Sequence, residues 1–389
     1  MQTTVTGIDV GTYHVKVVIA QRNDDERPPR ILGTGYAESR GMRHGYITAP
    51  GETARSIAAA AAQAAKAARV RVKSAYIGIG GAGLDEYTAR GETVVERGDS
   101  LVSERDLPRA LAAAAAALPP SATLNRRILH QIPLRYFVDG TRVLGRSPVG
   151  MKCQRIGVEA LFVTCLERHV GDLVQAVEEA GIAVEDIVAA PIAASFVALS
   201  KMQKRVGCVL ANIGAETLSL IVFEDAVPMS VKVFAVGGTD ITNDLALSLR
   251  IPPEEAEQLK HGAILGTPYP KRKVEDVAAK RMTEMFKLVE AHLKKIGKNE
   301  LLPAGVILTG GSSALQSAAD LAKAVLRLPS RLAESHGPQR MQLQDSTWTV
   351  AYGLTIWGLT SGGDLEGNNS SDWLDPLRSL WRWLKKFLP

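Results

Sequence analysis

Hydrophobic and polar positions along this chain alternate in short, repeated blocks. The stretch Thr6-Gly7-Ile8-Asp9-Val10-Gly11-Thr12-Tyr13-His14-Val15-Lys16-Val17-Val18-Ile19-Ala20 sets β-branched residues on both sides of a polar turn. That alternation predicts two short strands joined tightly. Residues 206–223 repeat the design around the turn Asn212-Ile213-Gly214-Ala215-Glu216-Thr217. A third apolar run, 305–309, ends in Gly310-Gly311-Ser312-Ser313 and opens a helix.

Between these landmarks, 31–39 and 74–79 read as strands and 49–68 as a long helix. Gly78-Ile79-Gly80-Gly81-Ala82-Gly83 has the spacing of a dinucleotide fingerprint. The next stretch, 84–95, alternates like a strand instead of opening a helix, so the fingerprint lacks its context and reads as a turn. Residues 84–165 break the pattern. A helix capped at Ser103-Glu104-Arg105-Asp106 runs to about Leu118, and strands are predicted at 127–133, 135–139 and 156–165. This is an inserted α+β unit. A helix at 167–180, a strand at 184–188 and a helix beginning at Pro191 lead into the second half. There Gly237-Gly238-Thr239-Asp240 opens a helix to Arg250, Pro252-Pro253-Glu254 opens another through Lys260, and 268–273 reads as a loop. Residues 274–296 form a long helix with Val277, Met282, Met285, Leu288, Val289 and Leu293 at helical spacing. Residues 346–359 look like a closing helix.

Composition adds bounds. With 389 residues, 46% hydrophobic and 22% charged, the chain can bury an ordinary core in roughly one to three domains. Cys153, Cys165 and Cys208 show no CxxC spacing and read as buried, reduced thiols of a cytosolic protein. The seven His lack metal-ligand spacing. A polar amino terminus that runs straight into a strand is no signal peptide. No apolar run reaches bilayer-spanning length. A net charge of +5 argues little about nucleic acid, which is not expected as a partner.

The turns carry the candidate chemistry. Gly11 lets backbone N–H groups approach a phosphate without a Cβ in the way. Thr12 adds a hydroxyl donor and Lys16 a cation able to reach the same phosphate tail. Asp9, at the strand end, suits a hydrated Mg²⁺.

Two such hairpins from two halves of a chain, followed by a Gly-Gly turn, resemble the nucleotide site of the actin, Hsp70 and sugar-kinase superfamily. Ile132-Pro133-Leu134-Arg135-Tyr136-Phe137-Val138-Asp139-Gly140, then Pro148-Val149-Gly150-Met151 and the strand at 158–165, resemble one family within it: FtsA, the actin-like bacterial cell-division protein. The resemblance implies an α/β, actin-like ATPase fold of two related halves with an inserted α+β subdomain of SHS2 type. Subdomain IA would take 1–83 and 166–203, IC 84–165, IIA 204–241 and 302–360, and IIB 242–301. A linker at 361–375 and an amphipathic helix at 376–389 would complete the chain. The implied ligands are ATP and Mg²⁺, with Asp9 holding the metal through water. Gly11, Thr12, Tyr13 and Lys16 would serve the nucleotide from the first turn, and Asn212, Gly214, Ala215, Glu216 and Thr217 from the second. Gly238, Glu257 and Lys260, with Gly310, Gly311 and Ser312, would surround the adenosine. The family further implies filament formation with copies of itself and later division proteins as partners. It implies docking of the FtsZ carboxy-terminal peptide on IIB through Arg281 and Glu284, and a place at the division septum on the cytoplasmic face of the membrane.

The carboxy-terminal stretch supports this from its own chemistry. Residues 361–372 have the composition of a flexible polar linker. Asp375 suits an N-cap with Pro376 at the first helical position. At helical pitch Leu377, Leu380, Trp381, Leu384, Phe387 and Leu388 share a face, while Arg378, Arg382, Lys385 and Lys386 lie opposite, with Trp383 at the margin. Three of the five Trp fall in the last 17 residues. Such a helix is expected in a membrane interface, held by anionic lipid.

Two positions depart from the family. Its second phosphate motif usually reads Asp-x-Gly-x-Gly-Thr. Here Asn212 replaces the acid and Glu216 the second glycine. A carboxylate beside a phosphate is repulsive unless protonated or bridged by metal. Weak nucleotide binding or an unusual metal geometry is therefore expected, with slow or absent hydrolysis. Competing readings are a small-molecule phosphotransferase of the same fold, a PilM-like pilus-assembly adaptor, and an Hsp70-like chaperone. The first does not explain the tail, the second would not be expected to carry one, and the third needs a further domain where about 30 residues remain after Leu359.

Overall fold

The β-branched runs at the amino terminus pair as the alternation demands. β1 (Thr4–Val10) and β2 (His14–Gln21) are antiparallel, with Asp9 opposite Lys16, and β3 (Arg30–Glu38) adds to β2. The computed structural model describes residues 3–22, 29–96, 98–144, 147–262, 269–315, 317–334 and 346–361. A hairpin of two-residue strands comes next, β4 (Met42–Arg43) and β5 (Tyr46–Ile47), and then α1 (Pro50–Ala68), started by Pro50 in its first turn. β6 (Ser74–Ile79) lies parallel to β1. α1 packs on β3 almost backbone to backbone, because Gly33 and Gly35 present no side chain: a Cβ on Gly35 would lie 2.1 Å from the Ala60 carbonyl oxygen.

The insert consists of β7 (Leu84–Val94), α2 (Asp106–Ala116), α3 (Pro120–Thr123), β8 (Arg126–Val138), β9 (Thr141–Arg142) and β10 (Arg155–Leu166). Its sheet runs β7-β10-β8-β9, all antiparallel, over a separate apolar cluster centred on Leu107, Tyr136, Ile156 and Phe162. One expectation is corrected here. The strands predicted at 127–133 and 135–139 are one strand. Pro133 is accommodated by a register shift, Ala160 pairing with Pro133 and Glu159 with Arg135, so Leu134 forms a bulge. At the start of α2, Asp106 accepts from the Ser103 backbone N–H (2.8 Å) and hydroxyl (2.6 Å).

α4 (Glu167–Glu179) and β11 (Ala183–Ala189) complete the first sheet, ordered β11-β6-β1-β2-β3. α5 (Ala190–Ala198) and α6 (Lys201–Val206), the latter with a reciprocal Ser200–Gln203 capping box, lead into the second half. There β12 (Cys208–Ile213), β13 (Leu218–Glu224) and β14 (Val227–Phe234) form an antiparallel set. β14 was not expected from the sequence. It comes after a tight reversal in which Asp225 and Ala226 take positive φ, and its Pro228 sits at a register shift. α7 (Gly238–Leu249), α8 (Pro253–Lys260) and α9 (Lys271–Lys295) come next, then β15 (Val306–Thr309), α10 (Ala318–Leu326), β16 (Ser330–Leu332) and α11 (Thr349–Ser361). α9 begins inside the segment expected as a loop. It buries Met282, Met285, Phe286, Val289 and Leu293, whereas Leu288, expected on that face, is 40% exposed.

The second sheet runs β14-β13-β12-β15-β16. Taken from the opposite edge, its wiring equals that of the first: β12 takes the place of β1, β13 of β2, β14 of β3 and β15 of β6. In each half three strands are antiparallel and the remaining two run parallel to the first of them. The main core joins both halves, with Leu210, Ile221, Phe223 and Ile307 in one cluster with Ile8, Val188 and Ile192. Cys153, Cys165 and Cys208 are buried free thiols. Among the described residues, no helix is long and apolar enough to cross a membrane. Ser361 closes α11, and the linker and amphipathic helix expected beyond it lie outside the described residues.

Candidate functional site

The repeat places two equivalent turns face to face. The Gly11 N–H donates to the His14 carbonyl (3.2 Å) and the Gly214 N–H to the Thr217 carbonyl (2.8 Å). Gly11 thus corresponds to Gly214, Tyr13 to Glu216, Asp9 to Asn212 and Lys16 to Ser219. Between the turns lies a cavity of about 570 Å³.

From the first half Asp9, Gly11, Thr12, Tyr13 and Lys16 line it, all expected. Asp9, next to last in β1, lies between Lys16 on β2 and Gly78 on β6. The surrounding protein strips water from its carboxyl and pushes its pKa up from 3.8 to about 6, with the Lys16 charge pulling back. Lys16 Nζ donates to the Thr347 carbonyl (2.9 Å) and sits 5.7 Å from the centre of the Trp348 ring. Tyr13, 55% exposed, stands at the mouth with its ring edge-on to His14.

From the second half Asn212, Gly214, Ala215 and Thr217 line the cavity. The amino terminus of α7 braces this turn: Gly238 N–H donates to the Gly214 carbonyl (2.9 Å) and Thr239 N–H to that of Ala215 (2.7 Å). Gly238 lies just behind the lining, where Ser312 Oγ leaves no room for a Cβ. Gly310, with φ of 90°, lets Asn212 Oδ1 approach within 2.3 Å of where a Cβ would be. Gly311 and Ser312 complete that wall, and Ser312 Oγ donates to the Gly214 carbonyl (3.2 Å).

The far wall belongs to α8. Lys260 Nζ, its side chain 5% exposed, donates to Glu257 Oε2 (2.7 Å), Thr242 Oγ1 (3.0 Å) and the Gly238 carbonyl (3.2 Å). His261 Nε2 lies 3.0 Å from Glu257 Oε1. Burial pushes the Glu257 pKa up, but hydrogen bonds from Lys260 and Thr242 and the Lys260 charge outweigh it and hold it below the usual value.

Glu216 stands apart from the rest of its turn. It is absent from the lining: its carboxylate accepts the backbone N–H of His44, in the β4–β5 hairpin of the opposite half, and lies 3.9 Å from His44 Nδ1. The turn apex points across the cleft, and the carboxylate is held at His44. Arg281 and Glu284 lie on α9 away from the cavity. Arg281 makes a two-pronged ion pair with Asp244 (2.7 and 2.9 Å) and another with Glu284 (3.0 Å).

Sequence reasoning missed Tyr36, Ser219, Thr239 and the Thr347–Val350 edge of the cavity. Ser219 was legible in principle, as the counterpart of Lys16. Gly80, from the glycine run read as a turn, also lines the cavity, and that run does lead into a strand.

Comparison with known proteins agrees with this architecture. The family described as "Cell division protein FtsA" matches residues 209–353, and that described as "SHS2 domain inserted in FTSA" matches 81–164. The chain is 28% identical over 383 residues to the cell division protein FtsA of Pseudomonas aeruginosa, covering 92% of this chain and 90% of that one. It is 29% identical over 368 residues to FtsA of Bacillus subtilis, covering 89% and 81%. Among solved structures, a PilM–PilN type IV pilus biogenesis complex shares the fold with a TM-score of 0.68 at 18% identity, covering 91% of this chain and 98% of that one. MreB5 of Spiroplasma citri, bound to ADP, does so with a TM-score of 0.53 at 13% identity, covering 94% and 99%. The two matched segments lie in the insert and in the second half of an actin-like ATPase fold, and relatives carrying the same name align over nearly the whole chain: this protein belongs to the FtsA family of cell division proteins.

Proposed function

We propose that this protein binds ATP between its two halves, assembles with copies of itself on the inner face of the cytoplasmic membrane, and tethers FtsZ there through its carboxy-terminal amphipathic segment. Recruitment of later division proteins to the septum belongs to the same reading. The observation that carries it is the pair of equivalent glycine turns closing on one cavity, with Gly310, Gly311 and the Glu257–Lys260 pair on its far side.

In this reading IA, IIA and IIB keep the boundaries expected from the sequence, and IC is the insert. The triphosphate lies between the Gly11 and Gly214 turns, and the adenosine against α8. The residues fit a Mg²⁺ held mainly by phosphate and water. Asp9 is the carboxylate facing the cavity floor, Asn212 opposite it offers a neutral carbonyl oxygen, and no group of three or more acidic, His or Cys ligands forms a cage among the described residues. A bound cation would supply charge neutralisation for the phosphates and favour the ionised form of Asp9. With an amide where relatives have a second acid, binding matters more than turnover. ATP stabilises the closed form rather than fuelling a cycle. Arg281 and Glu284, already paired with Asp244 and each other, offer a charged face for the FtsZ peptide.

Co-sedimentation with anionic vesicles tests this, using the full chain and a form ending at Gly362, each with and without FtsZ from the same source. The full chain should pellet and carry FtsZ down, and the shortened form should do neither. A full chain that pellets alone would point to a different adaptor role, such as one resembling PilM. If neither form pellets, the membrane assignment fails.

A further inference from the structure

We propose that Glu216 is a cross-cleft clasp that sets how fast the nucleotide cavity opens. Its position in the repeat is that of Tyr13, which stands at the mouth of the cavity. Glu216 instead reaches the opposite half and accepts the His44 backbone N–H. Both ends of this contact are firmly mounted. The Glu216 turn is held by the amino terminus of α7 through Gly214 and Ala215. On the other side His44, with φ of 49°, sits in a hairpin whose Gly45 packs against Gly80 and Gly81 and whose Tyr46 ring stacks on that of His169 at 4.7 Å. The carboxylate is one-fifth exposed, so water competes poorly for it. Gly45 and Gly80 themselves line the cavity beside this contact, so separating the halves there breaks the clasp.

A hydrogen bond from a neutral N–H to a carboxylate needs only an acceptor oxygen at that place, which an amide also provides. Glu216→Gln should therefore preserve most of the clasp, and Glu216→Ala should abolish it. A phosphate-repelling Glu216 would behave differently, since loss of its charge in either variant would tighten nucleotide binding.

The inference rests on the cavity being a nucleotide site, so two readouts are needed. Amide hydrogen exchange of the 41–47 hairpin in nucleotide-free full-length protein reports the clasp itself. Release of a fluorescent ATP analogue reports its consequence. In Glu216→Ala the His44 amide should exchange at least tenfold faster than in wild type, and analogue release should accelerate about tenfold. Glu216→Gln should stay within about threefold of wild type in both. Unchanged His44 exchange in Glu216→Ala overturns the clasp. Altered exchange with unaltered release overturns its gating role. Tighter binding in both variants replaces it with electrostatic repulsion. Altered exchange in a protein that takes up no ATP analogue keeps the clasp and removes the nucleotide reading instead.

Discussion

Asp9 shows what a single residue contributes. Its carboxyl is held near 6 instead of 3.8 because burial disfavours its charge. A carboxyl raised in this way binds more protons folded than unfolded. Its contribution to stability is complete below pH 4 and is lost as pH rises through about 6. Asp9→Asn should thus stabilise the nucleotide-free protein at pH 7.5 by on the order of 1–3 kcal/mol, the gain fading towards pH 4. Melting temperatures of the two proteins across that range check the sign, and a constant offset would refute it. Asp9 was legible in the sequence because strand, acid and glycine turn are contiguous. Glu216 was legible as a departure but not in its effect, since its partner is 172 residues away. Lys204 was not legible at all. In Lys201-Met202-Gln203-Lys204-Arg205 nothing separates it from a solvent-facing cation, yet it is 2% exposed, 5.1 Å from the rings of both Phe196 and Phe223.

At the scale of elements, local pattern located most strands and helices because their alternation matches their burial. Two of its failures involve proline. Pro133 and Pro228 each sit inside a strand, at register shifts that only the partner strand reveals. The contact of α1 with β3 gives an internal comparison of two glycines. Gly35 has helix backbone at 2.1 and 2.6 Å from its virtual Cβ, whereas Gly51 in α1 has nothing within 4 Å. Gly35→Ala should cost about 1–3 kcal/mol or more by forcing helix and sheet apart. Gly51→Ala should be neutral or stabilise by about 0.4–1 kcal/mol, through the reduced freedom of the unfolded chain. Urea denaturation of both variants decides. Equal costs would mean that the close approach is not what holds α1.

At the scale of the whole molecule, the insert is tied to the second half by a polar cluster. Glu86 accepts from Ser230 Oγ (2.7 Å) and the Val231 N–H (2.6 Å), Ser230 Oγ lies 2.7 Å from His292 Nε2, and Lys232 pairs with Asp85 (2.9 Å). Glu86→Ala leaves the N–H of the fully buried Val231 without this acceptor and leaves the Ser230 hydroxyl only His292. It should cost about 1–3 kcal/mol for the donor left unpaired. Limited proteolysis should then cut near β7 and β14 earlier than in wild type, and an unchanged digestion pattern would show that the insert is held by its apolar contacts instead. This cluster was invisible beforehand because its members come from three separate stretches of chain.

α11 has a consequence for access. Its amino-terminal end, at Thr349 and Val350, forms part of the cavity edge. Thirteen residues long, it ends at Ser361, close to Leu359, whose carbonyl takes the Arg22 guanidinium at the opposite end of β1 and β2. At about 1.5 Å per residue the helix separates the two ends by roughly 20 Å. The doorway for a small molecule and the departure point of the tail therefore sit at opposite poles of one rigid strut. A partner that engaged the chain at Ser361 would meet the protein roughly 20 Å from the doorway, so docking and refilling need not compete for the same place.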